Sequence, residues 1–238
     1  SYVDYSFQDE FSTLSSNISS THYCLSAIKE SGLNCKFYFA GSSEMFGKVK
    51  EIPQNENTPF HPRSPYGISK VAGFDLTRNY RESYGLHTST GILFNHESER
   101  RGFEFVTRKI SQGVAMIKVK KQKYLELGNL NAKRDWGYAP EYVEAMWLML
   151  QQKTPDDYVV GNGKTNSIKY FVEKAFDVVG LNYQKYIKIN KIYFRPAEVD
   201  LLIADYSKIR TKIGWKPKVG IDKLIEKMVL NDLKLLKD

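Results

Sequence analysis

Two short runs of apolar and β-branched residues, each following a helical pattern, constrain the fold of this 238-residue chain most strongly. The first run, Lys36 to Ala40, follows a helix predicted over Ser15 to Glu30 and ended by Gly32. The second, Thr88 to Phe94, follows a helix predicted from an N-cap at Ser64 to Tyr84. Alternation of this kind is typical of a parallel sheet covered by helices, so we predict an α/β fold.

The second half of the chain adds one more sheet unit and then becomes mainly helical. The predicted elements are a helix over Glu141 to Gln151, a strand over Tyr158 to Val160, and helices over Ile168 to Val179 and Ile221 to Leu236. We assign residues 1–95 and about 135–163 to a partial dinucleotide-binding domain. Residues 96–134 and 164–238 are assigned to a smaller α/β domain packed on the sheet.

Composition indicates a globular protein of the cytoplasm. Hydrophobic residues make up 42% of the chain, but no apolar run reaches the length of about 18 residues that a membrane helix needs. The first ten residues have neither the basic start nor the apolar stretch of a secretion signal. Cys24 and Cys35 have no second pair, so we expect reduced thiols buried in the core.

The net charge of +8 is compatible with nucleic acid or with a small anionic ligand. The lysines are densest at Lys118 to Lys123 and Lys185 to Lys191, without zinc-finger spacing or an RNA-binding aromatic signature nearby. Solvated surfaces are the simpler interpretation, and we expect no nucleic-acid partner.

Tyr66 and Lys70 stand four residues apart on a predicted helix, so their side chains lie on one face about one turn apart. A phenol with a pKa of about 10 is a poor base, and a nearby ammonium lowers that pKa. Tyr66 is therefore a candidate to remove a proton from a sugar hydroxyl. The spacing alone is common in helices and does not establish this role.

A hydroxyl and a carboxylate follow the first predicted strand, in the sequence Gly41-Ser42-Ser43-Glu44. Open α/β sheets bind ligands at the carboxyl ends of their strands. Ser42 is placed to hydrogen-bond the same substrate oxygen as Tyr66, and Glu44 to act as general base and then acid on a neighbouring carbon. The alternative is an ordinary turn with a solvated glutamate.

Six segments together resemble the GDP-mannose 4,6-dehydratase family of the extended short-chain dehydrogenase/reductase superfamily. They are Ser42 to Gly47, Arg63 to Lys70, Gly91 to Ser98, Arg100 to Ser111, Leu127 to Gly137 and Tyr193 to Asp200. The resemblance runs from Ser1 to the last helix. Two departures are Ser42, where the family usually has threonine, and Glu99, where proline is usual.

The resemblance implies a lyase that dehydrates GDP-mannose with tightly held NADP. Tyr66 would deprotonate the hexose 4-hydroxyl as hydride leaves C4, with Ser42 holding that oxygen and Lys70 tuning Tyr66 and binding cofactor ribose. Glu44 would remove the C5 proton and assist loss of the C6 hydroxyl as water. Epimerases share Tyr66 and Lys70 but do not need a carboxylate at this place.

The resemblance also implies the binding residues and a homodimer or homotetramer. Nucleotide-sugar contacts are expected from Asn95, Lys109, Arg134, Arg195 and Glu198, and NADP contacts from His96 and Arg101, besides Tyr66 and Lys70. Taken singly, each cation is equally well explained as a surface salt bridge, and His96 as a structural histidine.

Two further patterns are set aside. Gly163-Lys164-Thr165 resembles the end of a phosphate-binding loop, but the required first glycine falls on Tyr158. His22, Cys24 and Cys35 do not assemble the four ligands of a zinc site, so we expect no metal.

The glycine-rich turn of a dinucleotide-binding fold is missing from the sequence. The resemblance starts partway into the family pattern, so we expect an incomplete Rossmann-like sheet that lacks its first βα units, about 60 to 90 residues. Three interpretations stay open: a piece of an active dehydratase, a fragment that pairs its open sheet edge with another chain, and a module that binds GDP-sugar without turnover.

Overall fold

The computed structural model describes residues 3–194 and 201–237. Its helices are α1 (Tyr5–Gln8), α2 (Glu10–Ser31), α3 (Pro65–Tyr84), α4 (Val106–Lys118), α5 (Ala139–Gln151), α6 (Ile168–Val178), α7 (Ser207–Ile213) and α8 (Ile221–Leu235). Its strands are β1 (Phe37–Ser42), β2 (Thr88–Leu93), β3 (Asn95–Glu97), β4 (Leu125–Leu127), β5 (Lys133–Tyr138), β6 (Asp157–Val160), β7 (Thr165–Ser167) and β8 (Ile187–Ile189). Across these two ranges, we find no helix with both the length and the apolar character to cross a bilayer.

The central sheet is parallel, in the order β1-β2-β6, which confirms the predicted α/β class. Phe37 lies opposite Thr88, and Ser42 opposite Leu93. Because all three strands run in the same direction, their carboxyl ends share one edge of the sheet. On its other side, β1 has no paired strand within the described residues.

A second set of strands continues from the carboxyl end of β2. After Phe94, β3 pairs in parallel with β5, which pairs antiparallel with β7. Phe94 donates its backbone N–H to the Val160 carbonyl at 2.9 Å, so the turn between β2 and β3 is fastened to β6. The chain thus leaves the central sheet at the place where ligands are expected.

Helix ends follow the capping residues, with one wrong prediction. Gly32 and Gly85 end α2 and α3 with φ of 63° and 65°, a left-handed conformation that glycine adopts without strain. Helix α2 begins five residues earlier than the predicted Ser15, because the Asp9 side chain accepts a hydrogen bond from the Ser12 N–H and caps it there. The prediction missed this cap.

The apolar interior has three parts. One lies between α4, α6, α8 and strands β4 and β5, and includes Ile110, Leu127, Phe171, Phe176 and Met228. A second lies on the α3 side of the central sheet, and a third lies between that sheet and α5. Cys24 and Cys35 belong to none of these parts, so the prediction that they are core residues is wrong. Both are exposed: on α2 the neighbouring Leu25 points inward instead of Cys24, and Cys35 lies in the loop between α2 and β1.

Candidate active site

A cavity of about 1090 Å³ opens at the carboxyl ends of β1 and β2 and continues along β3. All of the predicted site residues within the described part of the chain line it: Ser42, Glu44, Tyr66, Lys70, Asn95, His96, Arg101, Lys109 and Arg134. Arg195 and Glu198 lie outside the described residues. One cavity therefore joins residues more than 90 positions apart in sequence.

Helix α3 places Tyr66 and Lys70 on the wall next to the end of β1. The Lys70 ammonium lies 5.7 Å from the Tyr66 ring centroid and donates a hydrogen bond to the Ala40 carbonyl at 3.0 Å. This bond fixes the charge between the helix and the strand. Burial lowers the pKa of Lys70, since a less polar surrounding disfavours the ammonium. The four-residue spacing predicted that Tyr66 and Lys70 share one helix face, and their side chains are neighbours in the structure.

Ser42 ends β1 and caps the single 3-10 turn Ser43–Met45, which contains Glu44. The Glu44 N–H donates to the Ser42 hydroxyl at 3.2 Å. Gly67, at the start of α3, lies so close that an added Cβ would approach the Glu44 carbonyl oxygen to 2.8 Å. A glycine is therefore required for the Tyr66 turn of α3 to approach the Glu44 backbone.

His96 is held as a neutral ring. Its Nδ1 lies 2.8 Å from the Phe94 carbonyl, and its ring stacks on Tyr142 with centroids 4.9 Å apart. A carbonyl only accepts hydrogen bonds, so Nδ1 carries the proton and Nε2 is the acceptor. Burial, followed by the charge of Arg101, lowers the pKa of His96, while the Phe94 bond opposes this. His96 can accept a hydrogen bond at neutral pH.

Arg101 reaches the cavity from the loop between β3 and α4. Its Nε lies 3.1 Å from the buried Glu97 carboxylate, and its guanidinium centre lies 3.5 Å from the Phe105 ring centroid. Glu97 also accepts a 2.5 Å hydrogen bond from the Thr107 hydroxyl. Burial raises the pKa of Glu97, and Arg101 and Thr107 counteract that shift. Arg101 and Glu97 thus form an ion pair at the cavity wall, in which Nε is near the carboxylate but not aligned for a hydrogen bond.

Lys109, on α4, and Arg134, on β5, also line the cavity. The Lys109 ammonium lies 3.5 Å from the Tyr193 ring centroid, and Arg134 donates to the Lys133 carbonyl at 2.8 Å. Together with Lys70 and Arg101, these residues give the described lining four cations, beside four carboxylates, those of Asp4, Glu44, Glu97 and Glu104. The lining is therefore mixed in charge, and the N–H donors of its cations suit the oxygens of a diphosphate.

Several lining residues were not singled out from the sequence, although they fall inside the segments that carried the resemblance. They are Glu97, Phe103, Phe105, Thr107, Trp136 and Tyr193. From sequence alone, aromatic residues such as these are usually predicted to be buried in the core. Only the fold shows which of them line a cavity. Across residues 3–194 and 201–237, no group of three potential metal ligands comes together.

Comparisons with known proteins agree with this geometry. A sequence model of the family described as GDP-mannose 4,6 dehydratase matches residues 1–228. GDP-mannose 4,6 dehydratase 1 of Arabidopsis thaliana is 56% identical over 87% of this chain and 57% of its own length. The Drosophila melanogaster GDP-mannose 4,6 dehydratase is 47% identical over 100% of this chain and 65% of its own length. The chain thus spans roughly three fifths of these relatives.

Solved structures agree on the fold. The structure of RMD from Pseudomonas aeruginosa complexed with NADPH superposes with a TM-score of 0.89 at 24% identity, covering 98% of this chain and 78% of the other. At that identity the similarity shows the shared fold and nothing finer.

Proposed function

The chain belongs to the GDP-mannose 4,6-dehydratase family, and from this premise we propose that it forms the catalytic part of an enzyme that dehydrates GDP-mannose. The product would be GDP-4-keto-6-deoxymannose. The observation that carries the proposal is the meeting of Tyr66 and Lys70 with Ser42 and Glu44 in one cavity. A hydroxyl-binding pair beside a separate carboxylate supports oxidation followed by elimination better than oxidation alone.

Each residue has a distinct part in the proposed reaction. Tyr66 takes the proton of the hexose 4-hydroxyl, Ser42 holds that oxygen, and Lys70 places a positive charge beside the phenol. Glu44 removes the proton at C5, which the C4 ketone makes acidic, and delivers a proton to the leaving C6 hydroxyl. The C6 oxygen leaves as water, and C5 regains a proton at the end.

The cofactor we propose is NADP, which when bound supplies a hydride acceptor for C4 and the hydride donor for C6. The residues present fit its reactive end: Tyr66 and Lys70 line the cavity next to β1, where Lys70 donates to the carbonyl of the exposed Ala40, and the His96 and Arg101 side chains line the same cavity. The sequence offers no glycine-rich turn for the pyrophosphate. The residues present therefore fit the reactive end of NADP, and no glycine-rich turn is available for its pyrophosphate.

The nucleotide-sugar would lie along the part of the cavity formed by β3, α4 and β5. Asn95, Lys109 and Arg134 are the proposed contacts there, with the two cations meeting the diphosphate. Arg195 and Glu198 remain predicted contacts that rest on the sequence resemblance. The Lys109 ammonium lies over the face of the Tyr193 ring, a cation–π contact that holds this charge at the cavity.

Glu44→Gln tests the assigned chemistry most sharply. The variant should still allow partial oxidation at C4, with matching reduction of NADP, but form no 4-keto-6-deoxy product, because an amide cannot accept the C5 proton. Product formation is followed by mass spectrometry, with Glu104→Gln as the control, since Glu104 is another carboxylate lining the same cavity. Normal water loss by Glu44→Gln, or equal loss of activity in both variants, would refute the role of Glu44.

A second candidate function is assembly with a second copy of the chain through the open edge of β1. Its specific support is that β1 is paired on one side only within the described residues, and unpaired edges recruit further strands. Sedimentation of the protein at decreasing concentration separates the two candidates. A persistent dimer without turnover favours assembly, and a monomer that turns over GDP-mannose rules it out.

A further inference from the structure

The loop between β3 and α4, residues 98–105, forms a strap across one wall of the cavity. It presents Arg101, Phe103 and Phe105 to the interior. Within the strap, the Arg101 N–H donates to the Ser98 carbonyl at 3.1 Å and the Phe105 N–H to the Gly102 carbonyl at 3.2 Å. These short-range bonds shape its turns, and the ion pair between Arg101 and Glu97 attaches it to the end of β3.

Arg108, on the first turns of α4, supplies a longer-range attachment. Its guanidinium donates one hydrogen bond to the Glu99 carbonyl and another, at 3.3 Å, to the Arg101 carbonyl. Its centre also lies 4.7 Å from the Phe103 ring centroid. A single forked side chain therefore holds three successive parts of the strap.

Arg108 is held in turn by the last helix of the chain. Its Nη2 lies 2.7 Å from a carboxylate oxygen of Asp232 on α8, and the other oxygen accepts a 2.6 Å hydrogen bond from Ser111. The Arg108 and Asp232 side chains are only 5% and 3% exposed. Removing either partner should destabilise the fold, because the other charge would stay buried without its counter-ion.

Asp232 lies beyond residues 1–228, the part that the family model matches. The cavity itself is lined by residues no later than Phe194 within the described chain. Contacts therefore connect Asp232, which does not line the cavity, through Arg108 to the strap. Arg108 lies within the segment Arg100 to Ser111, whereas Asp232 lies outside all six segments.

We propose that Arg108 and Asp232 are a positioning pair that holds the strap, so that the C-terminal helix sets where Arg101 faces the cavity and how tightly the site binds a phosphate-bearing cofactor. The part of this proposal that concerns the cofactor rests on the proposed function. The part that concerns the strap does not. Neither residue touches the ligand, and both act through Arg101.

A simpler explanation is that the pair only stabilises the packing of α4 on α8. The chain offers a matched control in Arg81 and Asp157, an ion pair at 2.5 Å with side chains 16% and 11% exposed. It joins α3 to β6, and neither partner lines the cavity. Asp157→Asn also leaves a largely buried guanidinium without its carboxylate, but it leaves the strap untouched.

The experiment compares Asp232→Asn, Arg108→Lys and Asp157→Asn by hydrogen–deuterium exchange and by ligand titration. In Asp232→Asn, the amides of residues 99–105 should exchange about tenfold faster, because their closed state loses its attachment. Arg108→Lys should do the same while keeping the charge next to Asp232, since one ammonium cannot reach both strap carbonyls and the carboxylate. In Asp157→Asn, exchange of these amides should be unchanged.

The ligand titration uses NADPH and GDP as separate probes. Asp232→Asn and Arg108→Lys should each bind NADPH about fivefold more weakly and bind GDP with unchanged affinity. General destabilisation would not weaken the binding of one ligand alone. If the parent protein binds no NADPH, the proposed function fails and the exchange result alone decides the positioning role. Unchanged strap exchange in Asp232→Asn, or equal acceleration in Asp157→Asn, would overturn the proposal.

Discussion

Single side chains around the cavity are held by contacts that differ in kind. Lys70 is fixed by a strand carbonyl, His96 by a carbonyl and a stacked ring, and Arg101 by a buried carboxylate. None of these partners was visible in the sequence, because each is brought close by the fold or by a turn. The chemical role of each residue could be predicted from its type, but the contacts that orient its side chain could not.

Replacement of Tyr66 by phenylalanine removes one oxygen and keeps the ring near Lys70. We expect the rate of GDP-mannose conversion to fall by about 100-fold or more, because the proton acceptor for the 4-hydroxyl is lost. Affinity for GDP should not change. Tyr84→Phe, at the exposed end of the same helix, is the control and should retain full activity. A similar fall in both variants would contradict the assignment.

The raised pKa of Asp135 predicts that its contribution to stability changes with pH in the direction opposite to that of most carboxylates. Burial, only partly offset by three backbone N–H donors, raises its pKa from 3.8 to about 6. Between these values the native protein keeps a proton that the unfolded chain releases. The contribution of Asp135 therefore favours folding below about pH 4 and is lost as the pH rises to about 6.

The measurement is the free energy of unfolding of the wild-type protein minus that of Asp135→Asn. This difference should decrease by up to about 3 kcal/mol between pH 4 and pH 6 and stay constant above. Urea titrations at several pH values give it directly. A difference that is constant, or that increases with pH, would show that Asp135 titrates normally.

At the scale of elements, the sequence predicted helices α2, α3, α5, α6 and α8 and the strands of the central sheet, but it missed α4, α7, β5 and the three-residue strands. The bounds of α3 were predicted within a residue, because Ser64, Pro65 and Gly85 mark its ends. Strands β3, β4, β7 and β8 have three residues each, too few to show alternation, and tertiary pairing alone creates them. The predicted end of β1 at Ala40 was also wrong, since its ladder continues to Ser42 opposite Leu93.

Gly67→Ala tests whether the approach of α3 to the turn after β1 is required. The added methyl would meet the Glu44 carbonyl oxygen at 2.8 Å, so helix and turn must move apart. We expect a loss of about 1–3 kcal/mol in unfolding free energy and a fall in turnover greater than that stability loss explains. Gly220→Ala is the control, because nothing lies within 4 Å of its added methyl. Unchanged turnover in Gly67→Ala would show that this approach does not matter.

At the scale of the whole molecule, β1 is an edge strand of the central sheet, with no paired strand on its outer side within the described residues. Helix α5 lies next to β1, as shown by the 2.7 Å hydrogen bond from Lys36 to the Leu150 carbonyl. On its outer face, Val143 and Trp147 are 59% and 61% exposed. A tryptophan in this setting, beside an unpaired strand, marks a surface that is suited to contact with another polypeptide.

If a second copy of the chain covers this surface, Trp147→Glu should weaken self-association about tenfold or more, because a charge would be buried in an apolar contact. Sedimentation velocity over a range of concentrations measures this. Phe11→Glu, which changes an 81% exposed aromatic residue on α2, should leave the association unchanged. Equal effects of the two substitutions, or association that neither affects, would exclude the β1–α5 surface as the contact.

The central claim is that this cavity performs dehydration and does not merely bind a nucleotide-sugar. The direct measurement is incubation of the protein with NADP and GDP-mannose in D₂O, followed by mass spectrometry and NMR. Our account predicts a GDP-4-keto-6-deoxy sugar with solvent deuterium at C5 and no net change in the oxidation state of the cofactor. Binding of both ligands without loss of water, or a product with no deuterium at C5, would contradict it.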